Sequence, residues 1–140
     1  MKILSFKCRG LVNPSKKLSL CCLVESTLPE VILLQETLGV CDVVKESLES
    51  LFPGWDFEVI DVRGRSGGLA SGWKSKVCRC DNVWDFESGI GLQLFFEELD
   101  RFISIIKIYG PYHNRVQYWD LILGNSYIKD REVIIRGDLN

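Results

Sequence analysis

Four residues sit where buried strands would surface, and their types suit one chemistry. Gln35-Glu36 directly follow the apolar run Val31-Ile-Leu-Leu34. Tyr109 closes the run Phe102–Tyr109, and Asp138 and Asn140 directly follow Val133-Ile-Ile-Arg-Gly137. In α/β sheets, ligands collect at the carboxyl ends of strands, where backbone and side chains converge. A glutamate, an aspartate and an asparagine amide are hard oxygen donors of the kind magnesium takes. Magnesium holding a phosphate and an attacking water gives phosphodiester hydrolysis. Taken singly, each reads first as the point where an apolar strand meets water, and it is the set together that signals this chemistry.

Other chemistries find less support. There is no G-x-x-x-x-G-K-[ST] run and no G-x-S-x-G elbow. The loop Gly64-Arg-Ser-Gly67-Gly68 departs from G-x-G-x-x-G and precedes a strand pattern, not a helix. The single histidine, His113, follows Gly110-Pro111 and reads as a solvated loop residue. Six cysteines (Cys8, Cys21, Cys22, Cys41, Cys78 and Cys80) lack C-x2-C spacing and read as reduced, partly buried thiols. An intracellular home, nucleus or cytoplasm, follows from that reading. Trp55, Trp73, Trp84 and Trp119 read as core residues, not as platforms for stacked bases.

The elements that must position the strand-end residues are legible in outline. The 140 residues are 46% hydrophobic and 26% charged with net charge −2, which is globular composition for one domain. No apolar run approaches the ~20 residues that span a bilayer. The opening Met1–Gly10 lacks the apolar stretch of a secretory signal. Residues 2–7 read as a strand. Asn13-Pro14 starts a helix over 14–27 carrying Leu20, Leu23, Val24 and Leu28, and Pro29 ends it. The run 31–34 reads as a strand buried on both faces. Asp42 is placed to cap a second helix, with Val44, Leu48, Leu51 and Phe52 on one face. Strands follow over 55–62, 69–73, 76–83, 90–97 and 102–109, then a helix over 114–128 and a strand over 132–136. This is a βαβα start followed by an antiparallel middle, in one α/β unit.

The motifs MKILSFKCRGL, LPEVILLQET, GRSGGLASGW, IKIYGPY and IIRGDLN come in a recognisable order. With that order the chain resembles the N-terminal part of the endonuclease/exonuclease/phosphatase (DNase I-like) family. It looks most like the endonuclease domain of plant LINE-type retrotransposon polyproteins. The resemblance implies the N-terminal half of a four-layer α/β sandwich, a mixed sheet flanked by helices, with a magnesium-dependent site at one sheet edge. Glu36 matches the family's metal-binding glutamate, and Tyr109 the tyrosine that contacts the scissile phosphate. Asp138 matches the aspartate of the GD-x-N motif, which handles the nucleophilic water, and Asn140 its asparagine. Gly67 and Gly68 match a glycine pair with a backbone-packing role.

Three departures qualify what the resemblance implies. Phe6 and Lys7 stand where relatives carry tryptophan and a metal- or water-holding asparagine. A lysine ammonium has no lone pair and repels a divalent ion. Tyr112 stands where abasic-site relatives carry an asparagine. The 140 residues end just past GD-x-N, so the domain is read as partial, and the late aspartate and histidine of the family have no counterpart. The expectation is a DNA-directed phosphodiesterase using magnesium, or manganese, that is here weakly active or inactive as a retrotransposon-derived fragment. A phosphatase-type member and a non-catalytic interaction module are the alternatives. A further expectation is that the first sheet lacks its apolar cover and that the chain is marginally stable or self-associates through that face.

Overall fold

The computed structural model describes residues 1–61, 67–86, 89–110, 113–129 and 131–138. Asn140, Tyr112 and the first part of the glycine loop therefore lie outside the described residues. The chain runs β1 (Ile3–Lys7), α1 (Pro14–Thr27), β2 (Val31–Gln35), α2 (Cys41–Leu51), β3 (Trp55–Ile60), β4 (Leu69–Lys74) and β5 (Cys78–Phe86). It continues through β6 (Gly89–Phe96), β7 (Arg101–Tyr109), α3 (Arg115–Leu123) and β8 (Val133–Asp138).

Local chemistry explains the helix ends. The Asn13 side chain accepts the Ser15 N–H at 2.9 Å and Pro14 supplies a preset first turn, so α1 begins where the sequence reading puts it. It ends with Leu28 in a left-handed conformation (φ 49°), leaving that leucine exposed instead of on the buried face. Helix α2 is capped without a side chain, at Val40. Asp42 lies inside its first turn, where a carboxylate favours the positive end of the helix dipole. Helix α3 stops at Gly124, short of the 14–15 residues its pattern suggested (~4 turns by helical rise).

Two four-stranded sheets form, ordered β1-β2-β4-β3 and β5-β6-β7-β8. In the first, β1 and β2 are parallel and β4 runs antiparallel to both β2 and β3. In the second, β5, β6 and β7 are antiparallel, and β8 is parallel to β7. The period-two alternation of strands divides the side chains cleanly. Ile32 and Leu34 face α1 and α2, packing with Leu20, Val24, Val44 and Leu48. Val31, Leu33 and Trp73 face the other way, onto Leu92, Leu94, Ile103 and Ile105 of the second sheet. The outer face of that second sheet packs Ile106 and Ile108 under Tyr118 and Ile122 of α3. The layers are thus helix, sheet, sheet, helix.

This corrects one expectation. The first sheet is not left uncovered, because the antiparallel strands β5 to β7 form a second sheet within the same 140 residues and pack on it. A fully buried leucine or isoleucine contributes about 1.5–3 kcal/mol, so this shared layer is a main source of stability. Each sheet has two edge strands among the described residues, β1 and β3 in the first and β5 and β8 in the second, and β1 and β8 are the edges beside the strand ends. Since β2 packs near β7 and β4 near β6, the β1 and β8 edges lie together on one open side of the sandwich. Among the described residues no helix is long and apolar enough to cross a membrane.

Candidate functional site

The strand ends converge at that open side. Cys8 N–H donates to the Gln35 carbonyl, Gly10 N–H to that of Glu36 and Leu11 N–H to that of Thr37, each at 2.9 Å. These bonds zip the segment after β1 onto the segment after β2. Glu36 sits at φ 56° and Leu38 at φ 49°, left-handed conformations that cost a non-glycine residue energy. The loop is held there from the far side. Leu38 N–H donates to the Gly67 carbonyl at 2.6 Å and Thr37 N–H to that of Gly68 at 3.4 Å. A Cβ on Gly67 would collide with Leu38, and one on Gly68 with the Thr37 hydroxyl. The glycine pair is therefore a packing device that lets the Glu36 loop approach, as its resemblance implied.

Glu36 does not present a free carboxylate. Lys7 Nζ lies 2.7 Å from Glu36 Oε1, with the two side chains 37% and 18% exposed. That hydrogen bond is the largest cause holding the Lys7 ammonium above its ordinary range, aided by the Glu36 charge and by Tyr109, and opposed by burial and by Arg9. Lys7 and Tyr109 are thus within electrostatic reach of each other. Tyr109 ends β7, is 8% exposed, and packs with Leu69 and Ile90 between the sheets.

Asp138 is the last residue of β8 instead of following it. It pairs in register with Tyr109, and its carbonyl accepts the Gly110 N–H at 2.6 Å. Strand alternation puts Arg136 and Asp138 on the face of Ile134, which packs into the layer between the sheets. Glu36, Tyr109, Asp138 and Lys7 therefore share one end of the sandwich. His113 is exposed just before α3.

Sequence reasoning missed Lys107. It is 1% exposed, on the same face of β7 as Tyr109, and its ammonium donates to Ser5 Oγ of β1 at 2.9 Å. The signal was available: one charge in FISIIKIY at the period of the inward-facing residues. Burial is the main cause that lowers its pKa to about 8, with Cys8 and Asp138 opposing and Arg136 assisting. A lysine of the unfolded chain keeps its proton to about 10.5. Between those values the unfolded state binds more protons, so stability rises with pH. Burial pushes the Cys8 and Cys78 thiols the other way, up to about 12 from 9.0, which lowers stability above pH 9. Between pH 8 and 9 Lys107 alone should therefore add roughly 1 kcal/mol of stability, a rise opposed by the buried thiols and by Cys41 and Cys80, pushed up to about 11. Urea unfolding across that window checks this. A Lys107→Met variant should lose the lysine's part, so its profile should fall below the wild-type trend by roughly 1 kcal/mol from pH 8 to 9, and parallel profiles would contradict this.

Magnesium, which the resemblance implies, can be tested against these donors. Among the described residues no three His, Cys, Asp or Glu side chains are grouped to hold a metal ion. The one carboxylate expected to bind it is bonded to an ammonium. Divalent cations of this kind need oxygen donors that are free to coordinate. The described residues do not fit a divalent ion.

No family model and no curated protein matches the chain. Solved structures do. The human Nocturnin catalytic domain with bound sulfate anion superposes with TM-score 0.73 at 14% identity, covering 100% of this chain and 64% of that one. D. rerio TDP2 complexed with single strand DNA product gives TM-score 0.73 at 16% identity, covering 100% and 60%. An endonuclease/exonuclease/phosphatase family protein from Bacteroides thetaiotaomicron gives 0.70 at 12% identity, covering 100% and 63%. The fold is the DNase I-like α/β sandwich, and the chain spans about 60% of the length of these structures.

Proposed function

We propose that this chain carries a phosphoester-hydrolase scaffold, descended from a LINE-type retrotransposon endonuclease, whose metal position is closed by lysine. The observation that carries the reading is the Lys7–Glu36 ion pair at 2.7 Å. Phosphate-containing ligands are the substrate class: one similar structure holds a sulfate, another a DNA product. Glu36 would be the metal-binding carboxylate were Lys7 absent. Tyr109 would touch the scissile phosphate, with Asp138 and Asn140 positioning water. With Lys7 in place, hydrolysis of DNA is weak or absent, and magnesium or manganese binds poorly.

The domain is read as partial. Completing strands would pair at the β1 and β8 edges, the side that carries the strand-end residues, since an unpaired edge presents a row of free backbone groups. The six unpaired thiols fit a reducing, intracellular setting.

A supercoiled-plasmid nicking assay tests the reading. With magnesium or manganese, the chain should nick no faster than with EDTA. Metal-dependent nicking that disappears in a Glu36→Ala, Asp138→Ala double variant would overturn it.

A further inference from the structure

We propose that the strand-end cluster is a metal-independent phosphate site, in which Lys7 and Arg136 contact the anion and the buried Lys107 supplies positive charge behind them. This rests on the reading of the chain as a phosphoester-binding scaffold and goes on to what replaces the metal.

The first support is charge. The chain as a whole has net charge −2. Yet Lys7 feels Arg9 and Lys107 feels Arg136, and the carboxylates acting on this pair of lysines here are Glu36 and Asp138. Among the described residues, the two lysines and the charged groups acting on them are four basic and two acidic, a locally positive balance. A cleft of one sign with low-dielectric walls concentrates ions of the other sign.

The second support is geometry. Ser5 and Lys7 share one face of β1, about 7 Å apart by strand rise. Lys107 is bonded to Ser5, two residues before Lys7 on that face. Arg136 stands in register with Lys107 on β8, and is exposed at the open edge. The two lysines and the arginine thus stand on three strands at the same end of the layer between the sheets.

The third support is an incomplete inventory of bonds. An ammonium has three donors. Among the described residues, Ser5 Oγ is the acceptor Lys107 has, although the side chain is 1% exposed. Burial therefore disfavours its charged form, and further negative charge nearby would favour that form again. An oxyanion at the mouth of the cluster provides that charge, and a divalent cation would do the opposite.

The experiment is calorimetric titration with inorganic phosphate at low ionic strength, in EDTA and again with magnesium. A dinucleotide with a 5′-phosphate and one with only its diester are run beside it, to separate a monoester from a backbone phosphate. Circular dichroism monitors folding of each variant. The expected result is saturable binding in EDTA that magnesium leaves unchanged. Lys7→Asn and Arg136→Ser should each weaken it by about tenfold, the loss of one charge-assisted contact. Tighter binding of either dinucleotide supports the site and names its ligand. No saturable phosphate binding in EDTA, binding that requires magnesium, or binding that both folded variants retain in full would overturn the proposal. Failure here leaves the nicking result untouched, whereas metal-dependent nicking by the wild type would overturn the underlying reading instead.

Discussion

Replacing Lys7 with asparagine should raise the affinity of the chain for magnesium or manganese by at least about tenfold, the scale on which groups around a metal tune its binding. Two changes act together. The Glu36 carboxylate, now 2.7 Å from the ammonium, is released to accept a cation. The asparagine carbonyl adds an oxygen donor where lysine offers none. The loop needs no rebuilding, because Glu36 is held by backbone bonds from Gly10 and from the Gly67–Gly68 side, not by Lys7. Calorimetric titration with manganese chloride measures the change. A Lys7→Met variant separates the two contributions: it frees the carboxylate but adds no donor, so its gain should be smaller. Equal, weak affinity in wild type, Lys7→Met and Lys7→Asn would mean that the lysine is not what excludes the metal.

The second large effect is on the fold. Gly137→Ala should destabilise the chain by about 3 kcal/mol, the upper part of the range for overpacking a tight site. Gly137 pairs with Ile108 in the parallel β7–β8 ladder. A Cβ there would fall inside the carbonyl of Ile108, a backbone group that cannot rotate aside. Strand β8 would have to part from β7, and Asp138 would leave its place beside Tyr109. At this chain length the melting temperature should fall by roughly 10 °C. Hydrogen exchange locates the damage. The Gly110 amide, bonded to the Asp138 carbonyl, should lose protection while the β1–β2 amides keep theirs. A variant that melts with the wild type would contradict the observed pairing of β8.

Both effects arise at residues whose sequence signals differ in kind. Lys7 was legible as a departure at a recognisable motif. Its bond to Glu36 was not, since a flexible side chain beside a strand end has several partners within reach. Lys107 was passed over because a lone lysine in an apolar run resembles the point where a strand surfaces. Only the packing of β7 against β1 shows that it does not. The parallel β1–β2 pair and α1 were readable because their determinants are local: an Asn13-Pro14 start, a Pro29 stop and a run of four buried aliphatics. The second sheet was not. The strands β5 to β7 were each visible, but which sheet a strand joins is set by contacts distant in sequence. The cover for Val31 and Leu33 was therefore assigned to a missing half, although Leu92, Leu94 and Ile105 supply it. The same limit applies to Asp138, where pairing with Tyr109 extends the strand beyond its apolar residues.

In the proposed reading, a lysine occupies the place of a divalent cation beside Glu36. Manganese is paramagnetic and broadens the amide signals of residues near it, so a nitrogen–proton correlation spectrum of the wild-type chain, titrated with manganese, tests the claim most directly. No selective broadening of Glu36, Thr37 and Asp138 is expected in the wild type, and it should appear in Lys7→Asn. Selective broadening of those three amides in the wild type at low manganese would contradict that reading, because the metal would then bind beside the ammonium that is held to exclude it.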